Sequence, residues 1–140
     1  MQAVVNAEMT EYILSIAGGC PDLQSIWLIG SRVHPDVPQT SDWDFLAFGS
    51  TKALECLRQT GEFHRSNVDF LVVTNGNDFE NAWGPKRKTG SLSSWQWRQH
   101  SEAEAKYVGA KWVGSDDDAS VERKESLAVQ LWQRGAQAAL

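Results

Sequence analysis

Three short apolar runs constrain most strongly what this 140-residue chain can fold into. The runs are SIWLI at 25–29, SDWDFLAF at 41–48 and VDFLVV at 68–73. A brief, nearly continuous apolar run between polar or turn-forming residues is typical of a strand that is buried on both faces of a sheet. We therefore predict that the three runs form the central strands of one sheet.

Three other segments carry the apolar spacing of helices. Residues 3–17 place apolar side chains at steps of three and four and stop before Gly18-Gly19. Residues 51–60 show a similar pattern, with Thr51 as the N-cap. A third stripe runs from residue 120 to 139 and follows the acidic cluster at 116–118, which predicts a last helix whose N-terminus is capped by aspartate.

The region after residue 74 has a mixed pattern. Residues 84–91, GPKRKTGS, have the composition of a flexible basic loop. Polar and apolar residues then alternate over 92–99 and 102–108, which favours a hairpin with one solvated face. The second of these segments can also form a helix, since it is rich in Ala, Glu and Lys.

Length and composition place the chain among ordinary globular proteins, with one domain over residues 1–140. The formal net charge of −5 has the wrong sign for a protein that mainly coats nucleic acid. The sequence contains neither an apolar run of about 18 residues nor a signal-like start, so we expect a cytoplasmic protein with no membrane partner.

Two carboxylates alternate along the second run and a third interrupts the third run. Asp42 and Asp44 project from the same face of a strand, while Trp43 points to the opposite face. Asp69 sits in an apolar strand, where a carboxylate needs an ion-pair partner, a metal ion or a shifted pKa. A structural ion pair with Arg32 or Arg65 is one explanation.

The other explanation is a metal site that all three carboxylates share. If the two strands are neighbours, the three negative groups converge, and a divalent cation would relieve their repulsion. Ligands that are all oxygen atoms select a hard cation, which predicts Mg²⁺ with Mn²⁺ as a substitute.

Taken together, these segments resemble the signature of the DNA polymerase β-like nucleotidyltransferase superfamily, and most of all its small, single-domain minimal nucleotidyltransferases. The motifs are LIGS at 28–31, DWDF at 42–45 and VDF at 68–70, within a core of residues 25–74. The resemblance implies an α+β, nucleotidyltransferase-like fold, in which a mixed β-sheet has helices packed mainly on one face. The predicted hairpin and last helix then form a C-terminal extension over 78–140.

The resemblance also implies an activity. Similar proteins transfer a nucleoside monophosphate from a nucleoside triphosphate, such as ATP, to a hydroxyl acceptor by a two-metal mechanism. The matching metal ligands and catalytic residues here are Asp42, Asp44 and Asp69, and the matching triphosphate contacts are Gly30 and Ser31. The alternative is a non-catalytic, nucleotidyltransferase-like binding or regulatory subunit that has a protein partner, such as the antitoxin-like half of a two-protein complex.

A few other residues are candidates from the sequence alone. Arg32 directly follows the Gly-Ser turn and is a phosphate partner by position, although it can equally pair with a nearby carboxylate. The basic run at 86–88 can reach a triphosphate or an RNA acceptor, although a solvated turn is the commoner explanation for such a run. Trp95 and Trp97 can stack on a nucleobase or can simply cover the sheet as neighbours on one face.

Overall fold

The computed structural model describes residues 5–34, 40–113 and 120–135, which form two α-helices, two short 3₁₀-helices and eight strands. The helices are α1 (Ala7–Gly19) and α2 (Thr51–Gln59), and the 3₁₀-helices cover Ser31–Val33 and Gly61–Phe63. The strands are β1 (Ser25–Ile29), β2 (Trp43–Phe48), β3 (Val68–Val73), β4 (Asp78–Asn81), β5 (Thr89–Ser91), β6 (Arg98–Gln99), β7 (Glu104–Val113) and β8 (Ser120–Gln133).

All eight strands belong to one mixed sheet with the order β5-β4-β3-β2-β1-β8-β7-β6. Strands β2 and β3 are parallel, and α2 makes the crossover between them. Every other neighbouring pair is antiparallel. The three apolar runs are adjacent strands inside this sheet, so the prediction of central strands is confirmed.

Both helices pack on one face of the sheet. The Asn6 side chain caps α1, and Ser50 caps α2 by accepting a hydrogen bond from the Ala53 amide at 3.3 Å. The predicted cap, Thr51, is instead the first residue of the helix. One apolar cluster joins the helices to the sheet, and its fully buried side chains include Ile13, Ile16, Leu57, Ile26, Leu28, Phe45 and Phe70. The predicted α+β class with helices on one face is confirmed.

The opposite face carries a second apolar cluster to which no described helix residue contributes. Its centre is Trp27, Leu46 and Leu71, and the rings of Trp95 and Trp97 pack over it. The hairpin prediction placed these two tryptophans at alternate positions of a strand. They lie instead in the segment that joins β5 to β6. Between them, Gln96 has a positive φ of 55°. They cover the sheet, as one of the two sequence interpretations proposed.

The predicted C-terminal helix is wrong, because residues 120–133 form strand β8. This strand lies between β1 and β7, and its residues face both sides of the sheet. Val129 and Leu131 join the cluster under the helices, whereas Ala128 joins the second cluster. A strand that is apolar on both faces can show apolar residues at the three- and four-residue steps that also mark a helix. The capping role predicted for 116–118 falls outside the described residues.

The hairpin prediction is correct in its pairing and wrong in its bounds. Arg98–Gln99 pairs antiparallel with β7, so the second segment is a strand rather than a helix. The first segment is mostly the tryptophan-bearing turn. The basic loop is shorter than predicted, since Thr89–Ser91 forms β5. Among the described residues, no helix is long and apolar enough to cross a membrane.

Candidate active site

The sheet brings the three motif segments to one end. Gly30 follows the last residue of β1, Asp44 is the second residue of β2, and Asp69 is the second residue of β3. Asp44 is the register partner of Ile29 on one side and of Asp69 on the other. Neighbouring strands lie about 4.8 Å apart, so the two carboxylates share one small region. Asp42 lies one residue before β2 and is exposed.

Alternation along the strands decides which face carries the acids. Trp43, Phe45 and Phe70 belong to the cluster beneath the helices, whereas Leu46 and Leu71 belong to the second cluster. Asp44 and Asp69 share the parity of Leu46 and Leu71, so they project from the face without helices. The site is therefore the open continuation of the second apolar cluster at one end of the sheet.

The backbone of Gly30 lies against the Asp44 carboxylate. Its φ of 76° lies in the left-handed region that glycine adopts readily, and a Cβ at this position would collide with Oδ2 of Asp44. Its amide donates a hydrogen bond to the Tyr107 hydroxyl at 3.0 Å. The turn after β1 is thus held between a carboxylate and a phenol, and only glycine fits there without strain.

Burial and like charges oppose the ionisation of Asp44. Desolvation and the neighbouring carboxylates of Asp69 and Asp42 raise the pKa of Asp44 to about 6, and the Lys88 ammonium acts in the opposite direction. Burial, followed by smaller effects that include the charge of Asp44, also raises the pKa of Tyr107. The site therefore concentrates negative charge at a partly desolvated position, which is the condition that favours a bound cation.

Lys88 supplies a positive charge at this site. Its ammonium lies 2.9 Å from Oδ2 of Asp69, and the hydrogen bond to this carboxylate raises the pKa of Lys88. Of the two arginines considered as partners for Asp69, Arg65 pairs instead with Glu8 at 3.6 Å and lies over the Tyr12 ring. The structural ion pair foreseen for Asp69 exists, but its partner is a lysine from the basic loop.

The donor set suits a hard divalent cation, since all three candidate ligands are carboxylates on one end of the sheet. Within the described ranges, however, no three Asp, Glu, His or Cys side chains stand close enough together to hold a metal ion as they are placed. One oxygen of Asp69 is bonded to the Lys88 ammonium. Metal binding would therefore require rearrangement of the side chains, while the strands can remain where they are.

The residues predicted to contact the triphosphate have different surroundings. Ser31 is exposed and begins the 3₁₀-helix beside Gly30. The Arg32 guanidinium donates two hydrogen bonds to the Ser41 carbonyl, at 3.0 and 2.8 Å, and lies 4.3 Å from the centre of the Trp43 ring. These contacts tie together the two ends of the loop between β1 and β2. The phosphate role of Arg32 stays a prediction.

Two residues of the site region were missed by the sequence reasoning. Tyr107, on β7, reaches Gly30 from a strand that is distant in sequence and gives no local signal. Asn81 is buried at the end of β4 and organises the basic loop. Its amide group donates to the carbonyls of Trp83 at 2.7 Å and Lys86 at 2.9 Å, and its oxygen accepts from the Lys88 amide at 2.8 Å. The loop is therefore anchored rather than free.

The three basic residues at 86–88 have separate environments. Lys86 is exposed, Arg87 pairs with Glu80 at 2.7 Å, and Lys88 pairs with Asp69. The histidines at 34, 64 and 100 are all exposed.

No protein-family model and no curated protein matches the chain. Among solved structures, "a putative nucleotidyltransferase" from Sulfolobus solfataricus is similar at 27% identity with a TM-score of 0.38. The similarity covers 49% of this chain and 65% of that one, so it spans less than two thirds of the other protein.

Proposed function

We propose that this protein is a metal-dependent nucleotidyltransferase. The observation that carries the proposal is the register between parallel β2 and β3, which sets Asp44 beside Asp69. Gly30 packs against Asp44 at the same end of the sheet. The motifs that suggested the activity from sequence are thus neighbours in space.

In the proposed reaction, the acceptor hydroxyl oxygen forms a bond to the α-phosphorus of a nucleoside triphosphate. The bond from this phosphorus to the bridging oxygen of the β-phosphate breaks, pyrophosphate leaves, and the hydroxyl proton passes to a carboxylate of the site. Mg²⁺, when bound, would neutralise phosphate charge and lower the pKa of the hydroxyl. Asp42 and Asp44 would hold the metal that accompanies the triphosphate, and Asp69 would complete the acidic set next to the acceptor.

Gly30 and Ser31 would position the triphosphate. At Gly30 the absence of a side chain lets a phosphate approach the backbone closely, and exposed Ser31 can offer its hydroxyl. The protein's main contributions would be alignment of the reacting atoms and placement of charge.

The first test measures the melting temperature with Mg²⁺ or Mn²⁺ and each of the four common ribonucleoside triphosphates. At about 100 times the dissociation constant, binding should stabilise the wild type by about 2.7 kcal/mol, which corresponds to a rise of roughly 10 °C. Asp42→Ala and Asp44→Ala should abolish the rise, because each removes a ligand of the metal–triphosphate complex. Asp22→Ala, which removes an exposed carboxylate outside the site, should keep it.

Absence of any shift in the wild type would contradict the proposal. A shift without release of pyrophosphate, in the presence of protein, RNA and small-molecule hydroxyl acceptors, would favour the non-catalytic binding subunit. The melting-temperature shift and the pyrophosphate release together therefore separate the two functions that the sequence left open.

A further inference from the structure

We propose that Lys88 makes the acidic site bind a divalent cation together with a triphosphate in preference to the divalent cation alone. This inference rests on the proposed function. Lys88 would determine which form of the metal the site accepts, and the neighbouring basic residues would not.

The geometry separates the fixed part of Lys88 from the movable part. Its backbone is held on both sides, since its amide donates to the Asn81 side chain at 2.8 Å and its carbonyl accepts from the Asn81 amide at 3.1 Å. Its side chain extends from there to Asp69, with the ammonium 2.9 Å from Oδ2. The Lys88 side chain is 59% exposed, so it can leave Asp69 without opening the core.

The ammonium acts as a built-in cation for the acidic set. It neutralises one negative charge and bonds an oxygen that a metal ion would need. A divalent ion that binds alone must break this ion pair and then remain close to the released positive charge, which repels it. A triphosphate removes both penalties. Its oxygens accept hydrogen bonds from the released ammonium, and its negative charge offsets the positive charge of the metal. Metal and triphosphate should therefore strengthen each other's binding by the same factor.

The experiment titrates Mn²⁺ into each protein and follows free Mn²⁺ by electron paramagnetic resonance, with and without an α,β-methylene analogue of ATP. The variants are Lys88→Met, Lys88→Arg and, as a charge-matched control, Lys52→Met on the exposed side of α2. Loss of a largely exposed ion pair should make Lys88→Met bind Mn²⁺ alone roughly fivefold more tightly than the wild type. The gain in Mn²⁺ affinity caused by the analogue should shrink by at least the same factor.

Lys88→Arg should behave like the wild type because it retains the charge, and Lys52→Met should also behave like the wild type. The backbone hydrogen bonds of residue 88 do not involve its side chain, so Lys88→Met should fold, and Lys88→Gln offers the same measurement if it does not. Unchanged or weaker binding of Mn²⁺ alone by the folded variant would overturn the inference.

The two proposals fail in different ways. If the wild type binds Mn²⁺ in the presence of the analogue, and the analogue raises the Mn²⁺ affinity of Lys88→Met by the same factor, only the role of Lys88 is overturned. If no protein binds Mn²⁺ under either condition, the proposed function and the role of Lys88 are both overturned.

Discussion

Asp44 carries the largest electrostatic strain in the candidate site. It is partly buried, it faces two other carboxylates, and the backbone of Gly30 packs against its oxygen. The Lys88 ammonium bonds to Asp69 rather than to Asp44, so it relieves this strain only at a distance. A folded protein keeps such a residue at a cost in stability, which is typical of residues that serve binding or catalysis.

The cost should be visible as a pH dependence of stability. The pKa of Asp44 is about 6 in the folded protein and 3.8 in the absence of these interactions. Between pH 3.8 and pH 6, the folded state therefore binds more protons at this carboxyl than the unfolded state does. Stability due to this group is then complete below about pH 4 and falls as the pH rises through 6. Allowing for partial exposure, we expect Asp44→Asn to be more stable than the wild type by roughly 1 to 3 kcal/mol at pH 7, and equally stable at pH 4.

Chemical denaturation without metal, at a series of pH values, measures this difference. Asp22→Asn serves as the control, because it changes the same functional group at an exposed position outside the site. An advantage of Asp44→Asn that is the same at pH 4 and pH 7 would show that the effect does not come from ionisation.

At the scale of elements, the β4–β5 hairpin connects the core to the site. Buried Asn81 forms three hydrogen bonds with the backbone of the basic loop. The preceding residue, Glu80, forms salt bridges with Arg58 and with Arg87. The loop is thereby fixed so that Lys88 reaches Asp69. A basic segment that reads as flexible from its composition is ordered by one amide side chain from the preceding strand.

Replacing this amide should loosen the loop. We expect Asn81→Ala to lower the free energy of unfolding by about 2 to 4 kcal/mol, because three hydrogen bonds are lost and backbone groups near them lose their partners. The amide of Lys88 should also exchange its hydrogen faster. Denaturant unfolding and hydrogen exchange measure the two effects.

The matched control is Asn75→Ala, which removes the side-chain oxygen that accepts from the amides of Asn77 and Asp78 in an exposed turn. Water can replace the partner there, so the loss should be smaller, at about 1 kcal/mol. Equal losses in the two variants would show that Asn81 has no special part in holding the loop.

At the scale of the whole molecule, the C-terminal strand completes the sheet. β8 pairs with β1 on one side and with β7 on the other, which brings Tyr107 next to Gly30. Strand β8 is therefore integrated into the sheet beside the motif-bearing core. It forms one wall of the site region.

This placement predicts how much the strand contributes to stability. Leu131 is 4% exposed in the cluster beneath the helices, so Leu131→Ala should cost about 2 to 4 kcal/mol. Leu14, on α1, is 45% exposed, and Leu14→Ala should cost less than about 1 kcal/mol. Denaturant unfolding of the two variants checks the difference. Small and equal costs would contradict the placement of β8 in the centre of the sheet.

The predictions from sequence succeed where the local pattern and the final environment agree. The strands at 25–29, 43–48 and 68–73 are apolar because both of their faces are covered. Helix α2 is amphipathic because only one of its faces packs against the sheet. Asp44 and Asp69 stand out because carboxylates are costly in such strands, and Asp42 stands out because it lies two residues before Asp44. The prediction for 120–139 fails because the apolar residues of β8 serve two faces, which local periodicity cannot tell from one helical stripe.

By itself, the sequence determined the central strands, the helix between β2 and β3, and the candidate acids, since each depends on residues that are close together in the chain. Only the tertiary structure decided that β8 inserts beside β1, that Tyr107 meets Gly30, and that Lys88 is the partner of Asp69. These contacts join residues 19 to 77 positions apart, or pair whole strands. Their free energy depends on how the sheet is assembled, and no local pattern of residues records that assembly.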